Sequence, residues 1–129
     1  LTQSLNTLKR DFLARIKEGR WTAIHLSHLL LEYDFRDVVN TLLYARLVTR
    51  HHGGLQFILA PAGVHEEQKM NALKHLADGV LEFTMRERAR EYEGIITIRK
   101  LRKTLHRTKM FPFLVSSKGI YIERAERIA

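Results

Sequence analysis

The chain has 129 residues, 45% of them hydrophobic, and a formal net charge of +8, a composition typical of one folded domain rather than a disordered segment. The sequence contains no cysteine, which excludes disulfides and thiol chemistry and fits a reducing compartment. Apolar runs are short and the first residues lack the apolar block of a signal peptide, so we expect a cytoplasmic protein with no membrane partner.

The chain begins with a predicted helix and a predicted strand. Apolar residues at helical spacing predict a helix from about Ser4 to Lys17, which Gly19 ends. The apolar stretch from Thr22 to Leu31 predicts a buried strand that runs into a loop near residues 32–34.

The next helix has the clearest pattern. Asp34 is its predicted N-cap, and the glycines after His52 end it. Its predicted apolar face consists of Phe35, Val38, Val39, Leu42, Leu43 and Leu47. Leu55–Ala60 predicts a second buried strand, and Glu66 and Glu67 suit the first turn of another helix. That helix is expected to turn Met70, Leu73 and Leu76 inward.

After Asp78 the apolar period changes from about four residues to two, which predicts strands. One strand begins at Val80, and Ile95–Leu101 is another, with Gly94 at the turn before it. A closing hairpin is predicted from Phe111 to Ile122. Helices that alternate with buried strands indicate a parallel sheet with helical crossovers, extended here by antiparallel strands. We predict a single domain over residues 1–129, divided into a leading helix (1–19), an α/β core (20–82) and a basic hairpin with closing strands (83–129).

Positive charge is concentrated between Arg86 and Lys109, where nine Lys/Arg and three Glu give a local balance of +6. Such a patch attracts phosphate, nucleic acid or an acidic partner, and it is equally typical of a solvated surface. In the nucleic-acid interpretation, the contacts are shared among Arg86, Arg88, Arg90, Lys103 and Arg107.

Strand alternation predicts that Ile96, Ile98, Lys100 and Arg102 share one face. A lysine and an arginine two residues apart can clamp a phosphate, the arginine through its planar guanidinium group. The histidines do not have metal-ligand spacing, so no metal site is expected.

The segments His75–Glu82 and Arg99–Ile120, with Pro112-Phe113 and Gly119-Ile120 at matching spacing, resemble the carboxyl-terminal half of the KaiC branch of RecA-like ATPases. The order of elements extends the resemblance over about residues 20–122. It implies that Lys100, Arg102 and His106 contact nucleotide held by a neighbouring subunit. Lys103 departs from the family pattern, because the family usually has glycine there.

The resemblance also identifies residues 22–28 as the family's Walker-B strand, which normally ends in an aspartate that orders a magnesium-bound water. Two registers are open, and they place either Ile24 or His25 at that position. Neither is a carboxylate, and the sequence contains no G-x-x-x-x-G-K-[ST] phosphate-binding loop. Residues 65–67 correspond to the family's sensor loop, in which no sensor residue is assigned.

We therefore predict an α/β fold: a RecA-like half-core with a mostly parallel sheet, flanking helices and a carboxyl-terminal antiparallel extension. The expected function is a non-catalytic module with an assembly or regulatory role. Two alternatives are the carboxyl-terminal part of an active ATPase whose phosphate-binding loop lies outside this chain, and a module that binds nucleic acid weakly. No cofactor is expected in the chain alone, although ATP at an interface with a partner subunit is consistent with the resemblance. Such a half-core leaves surface unpaired, so we expect a homo-oligomer or association with an amino-terminal portion.

Overall fold

The computed structural model describes residues 4–104 and 110–123. Contacts divide the chain into two compact units, Leu1–Leu76 and Ala77–Ala129. The first combines helices with a parallel sheet and the second is an antiparallel sheet, so the predicted α/β class with an antiparallel extension is confirmed. The single-domain organisation stays a prediction.

The first unit contains four helices and two strands within its described residues. Their bounds are α1 Leu5–Lys17, β1 Trp21–His25, α2 Leu26–Glu32, α3 Phe35–His52, β2 Leu55–Leu59 and α4 Glu67–Leu76. The Ser4 hydroxyl accepts a hydrogen bond from the Thr7 backbone N–H and so caps α1. Phe12 and Ile16 of α1 pack against Ala45 and Val48 of α3.

A second apolar cluster joins α2 to α3. Leu26 and Leu29 pack against Val38 and Leu42, with Met70 and Leu73 of α4 partly buried beside them. The prediction of one strand over Thr22–Leu31 is wrong, because the chain turns into α2 after His25. Helical geometry turns the two leucines toward α3, whereas a continued strand would alternate them between opposite faces.

The buried stripe of α3 also differs from the prediction. It consists of Val38, Leu42, Ala45 and Val48, whereas Leu47 is 62% exposed. The small Ala45 is fully buried where α1 crosses, which the pattern of large apolar residues did not indicate.

The strands β1 and β2 pair in parallel, from Trp21 opposite Leu55 to His25 opposite Leu59. Gln56 points toward α3, where its amide Nε2 donates to the Ala45 carbonyl oxygen over 3.0 Å. The opposite face of the sheet is exposed, with Trp21 at 72% and Phe57 at 42%. The prediction that both strands are buried is therefore wrong for one face of this sheet.

Over residues 77–104 and 110–123, the second unit is a four-stranded antiparallel sheet in the order β3-β4-β5-β6. The strands are β3 Gly79–Arg88, β4 Glu91–Leu101, β5 Met110–Ser116 and β6 Gly119–Ile122. Gly94 lies inside β4, opposite Met85 and Phe113, and the predicted turn at this glycine is wrong. The Phe113 ring occupies the space that a Cβ atom at position 94 would need. The β3–β4 turn lies instead at Ala89 and Arg90, both with positive φ.

Candidate functional site

The carboxyl end of β4 contains a β-bulge that changes which face Lys100 occupies. Leu81 pairs with Ile98 but Val80 pairs with Lys100, so Arg99 is the extra residue. Directly opposed residues share a face of a sheet, and Val80 and Leu81 face opposite sides. Lys100 therefore lies on the face opposite Ile98, and the prediction that it shares a face with Ile96 and Ile98 is wrong.

Arg102 lies just beyond β4, in the turn, so the prediction that it shares a strand face with Ile96 and Ile98 is also wrong. Its backbone N–H donates to the Asp78 carbonyl oxygen over 2.8 Å. Its guanidinium Nη1 lies 3.3 Å from the Asp78 carboxylate oxygen Oδ1. Two contacts to one aspartate hold the arginine at the start of the turn, and the pairing leaves other guanidinium N–H groups to donate elsewhere.

Lys103 adopts a φ of +60°, the left-handed conformation that glycine adopts without steric penalty. This is the position at which the resembling family usually has glycine. The lysine therefore preserves the sharp turn after Arg102 at a cost of about 1 kcal/mol of backbone strain.

Much of the local positive charge faces a carboxylate. Arg86 Nη2 donates to Glu93 Oε2 over 2.8 Å, directly across β3 and β4. Arg99 Nε donates to Glu82 Oε2 over 3.0 Å. These pairs lie on one face of the sheet and reduce the net positive charge that the sequence count suggests.

The other predicted basic residues have different positions. Arg90 and Lys103 lie in turns and are exposed. His106 and Arg107 lie outside the described residues, as does the side chain of Arg88.

Ile24 and His25 occupy the last two positions of β1. The Ile24 side chain packs against both apolar clusters of the first unit, whereas His25 is exposed. Magnesium prefers oxygen ligands, and neither side chain supplies one. The end of β1 therefore does not fit the metal that accompanies nucleotide in the resembling family, and no group of three or more potential metal ligands occurs among residues 4–104 and 110–123.

A polar contact that sequence reasoning missed lies beyond the carboxyl ends of the two parallel strands. The Ser27 hydroxyl and His65 Nε2 share a hydrogen bond of 2.7 Å, and both side chains are half-buried. Ser27 follows β1 and His65 follows β2, so the bond ties together the two segments that leave the sheet at this edge. Ligands of open α/β sheets bind beyond the carboxyl ends of the strands. The two residues are 38 positions apart, and no motif in the sequence links them.

The two units thus define an α/β protein with RecA-like elements and a basic turn after its longest antiparallel strand. A family model for the KaiC ATPase matches residues 22–127. Because this match spans most of the chain, the chain belongs to the KaiC family, and the resemblance seen in the sequence is confirmed.

A KaiC-like protein from the hyperthermophilic archaeon Pyrococcus horikoshii has a similar structure, with a TM-score of 0.72 and 19% sequence identity. The alignment covers 96% of this chain and 56% of that protein, so the chain spans little more than half of its structural relative. At this identity the likeness shows a shared fold. No curated protein matches the sequence. Within the described residues, no helix is long and apolar enough to cross a membrane.

Proposed function

We propose that this chain is a non-catalytic KaiC-family module that assembles with another polypeptide and presents the turn after β4 to nucleotide held by its neighbour. The observation that carries the proposal is the uncovered face of the β1–β2 sheet. Parallel sheets are found almost only with both faces covered. Here the helices cover one face, and Trp21, Leu55 and Phe57 remain exposed on the other.

The strand edges support the same conclusion. Within the described residues β1 pairs only with β2, so each strand has one edge without a strand partner. Such edges offer unpaired backbone N–H and C=O groups to an incoming strand. An assembling partner that adds a strand and covers Trp21 and Phe57 satisfies both requirements at once.

A role without hydrolysis is supported by the residues at the end of β1. Phosphoryl transfer depends on metal ions and on backbone groups that cradle the phosphates. Ile24 and His25 supply no carboxylate, and the 129 residues contain no phosphate-binding loop motif.

The contact with a neighbour's nucleotide is supported by the turn after β4. Asp78 fixes Arg102, and the strained Lys103 keeps the turn sharp. Lys100 precedes them on the opposite face from Ile98, so the proposed clamp is formed by a bulge and a turn rather than by two positions of a regular strand.

Trp21 provides a direct test of assembly because it is the single tryptophan and lies on the uncovered face. We expect its fluorescence to shift to shorter wavelength, and acrylamide quenching to fall, as protein concentration rises. Phe57→Lys should remove this dependence. The control Leu31→Lys, at a residue that is 85% exposed on α2, should retain it. A monodisperse monomer at high concentration by light scattering contradicts the proposal.

A second candidate is the carboxyl-terminal part of an active ATPase whose phosphate-binding loop lies outside this chain. The observation in its favour is that the chain matches 56% of a longer KaiC-like protein. Robust magnesium-dependent hydrolysis by the 129-residue chain alone contradicts a non-catalytic module. ATP hydrolysis that appears only when a polypeptide carrying the phosphate-binding loop is added supports the second candidate over the first.

A further inference from the structure

The four-stranded sheet has one exposed face that is almost entirely apolar, here called the apolar face. The pairs Phe113 with Ile122 and Val115 with Ile120 place alternate residues of β5 and β6 on the same side as Phe83. Tyr92 and Glu87 lie at the hairpin end of this face. Away from that end its exposed members, between 50% and 71% exposed, are Leu81, Phe83, Met85, Val115, Ile120 and Ile122.

The size of this face matches what a stable protein–protein contact needs. At about 200 Å² per fully exposed residue, these exposures leave on the order of 700 Å² of mainly apolar surface. Standard interfaces bury about 800 Å² on each partner, and monomers rarely leave contiguous apolar patches above a few hundred Å² exposed.

Charge indicates which kind of partner fits. The arginine–glutamate pairs of this sheet, Arg86 with Glu93 and Arg99 with Glu82, lie on the opposite face. Along β3 the described charged side chain on the apolar face is Glu87, at the hairpin end of the strand. Two copies of a chain with a net charge of +8 repel each other in general. Contact through the apolar face brings almost no side chains of like charge close together, so the repulsion there is small.

We propose that the apolar face packs against the same face of a second copy of this chain, so that two four-stranded sheets form a symmetric sandwich. A two-fold axis makes the two contributing surfaces identical in area and polarity. The contact buries roughly 1,400 Å² in total, within the range of about 1,200–2,000 Å² for specific interfaces. This inference rests on the proposed assembly of the chain and names the partner at a surface separate from the β1–β2 sheet.

Two neighbouring residues of β5 provide a matched pair of variants. Val115 is 71% exposed on the apolar face, and Leu114 is 48% exposed on the opposite face. We expect sedimentation velocity to show a concentration-dependent dimer for the wild-type chain. Val115→Glu should raise the dimer dissociation constant at least tenfold, and Leu114→Glu should change it less than threefold.

The absence of cysteine in the sequence allows an independent measurement that does not depend on a disruptive charge. A short bismaleimide should cross-link two copies of Val115→Cys and leave Leu114→Cys largely monomeric. Equal cross-linking of both variants overturns the sandwich. A wild-type chain that stays monomeric even at millimolar concentration also overturns it.

The β1–β2 sheet supplies the comparison that separates this inference from the proposed function. Association that Phe57→Lys abolishes and Val115→Glu leaves intact overturns the sandwich while supporting assembly through the parallel sheet. Association that Val115→Glu abolishes and Phe57→Lys leaves intact supports the sandwich and counts against assembly through the parallel sheet.

Discussion

The two sheets of this chain expose apolar residues for different structural reasons. The β1–β2 sheet is short and depends on helices: its inner face packs toward α3, while its outer face and outer edges have no cover within the described residues. The β3–β6 sheet is built from strands that follow one another in the chain. One face carries the ion pairs together with exposed Met110, Leu114 and Tyr121, and the other is almost entirely apolar.

The two sheets therefore lack partners in different places. Within the described residues, the parallel sheet lacks a strand partner at each outer edge and a layer over its outer face. The antiparallel sheet pairs strands that follow one another in the chain. In the part of the chain that the structure describes, β3 and β6 also have one unpaired edge each, and the apolar face has no layer over it. Variants that weaken one unit and leave the residues of the other unchanged test whether the two are stabilised independently.

The largest effect is expected where α1 crosses α3. Ile16 is 1% exposed and packs with Phe12, Ala45 and Val48. Ile16→Ala removes buried methyl groups and leaves a cavity, so we expect the free energy of unfolding to fall by about 3 kcal/mol. Urea denaturation followed by Trp21 fluorescence measures this, since that residue lies in the same unit. Leu31→Ala, at an exposed position, is the control and should change it by less than about 0.5 kcal/mol.

In the antiparallel sheet, the position expected to be most sensitive to substitution is Gly94, because the Phe113 ring packs directly against it. Gly94→Ala places a methyl group where the ring lies, so we expect a loss of about 2 kcal/mol from overpacking. Hydrogen exchange should show lower amide protection in β4 and β5. Adding Phe113→Leu should restore part of the loss, and a double variant no more stable than Gly94→Ala contradicts this steric account.

The sequence predicted these two regions unequally. The resemblance of two short segments to a known family indicated the fold family. The spacing of apolar residues found α1 and α3, because amphipathic helices are local signals. It missed α2, because a short apolar run such as Leu26–Leu31 is compatible with a strand or a helix, and α3 decides between them. The pattern also predicted β1 and β2 to be buried on both faces. Burial of a strand depends on which elements pack against each face, and the apolar pattern of the strand itself does not show this.

For the candidate site, the sequence identified the basic turn but not its geometry. The bulge at Arg99 depends on the pairing of two strands, and one extra residue moves Lys100 to the other face. The Ser27–His65 bond joins residues that only the folded chain brings together. The sequence shows Glu82 and Glu93, but it does not show that strand pairing places them beside Arg99 and Arg86.

A stabilising change is expected at Lys103, where the candidate turn is strained. Lys103→Gly relieves the positive φ, so we expect the free energy of unfolding to rise by up to about 1 kcal/mol. Thermal unfolding by circular dichroism measures the change. Lys103→Ala removes the same charge but retains the strain, so an equal gain from alanine would show that charge rather than backbone conformation is responsible.

The smallest effect concerns nucleic acid, the alternative function of the basic segment. We expect weak single-stranded DNA binding that falls steeply with salt, because neutralised phosphates release counterions. Combined replacement of Arg86, Arg90 and Lys103 by alanine should lower the slope of binding affinity against salt concentration, whereas Lys100→Ala with Arg102→Ala should lower it less.

A second variant tests the ion pair. Glu93→Gln frees Arg86 from its ion pair and should raise the affinity for DNA two- to threefold at low salt while changing the free energy of unfolding by less than about 1 kcal/mol. Fluorescence anisotropy at two salt concentrations measures both effects. Binding that is unchanged by Glu93→Gln and survives high salt would instead indicate base stacking on exposed aromatic residues such as Tyr121.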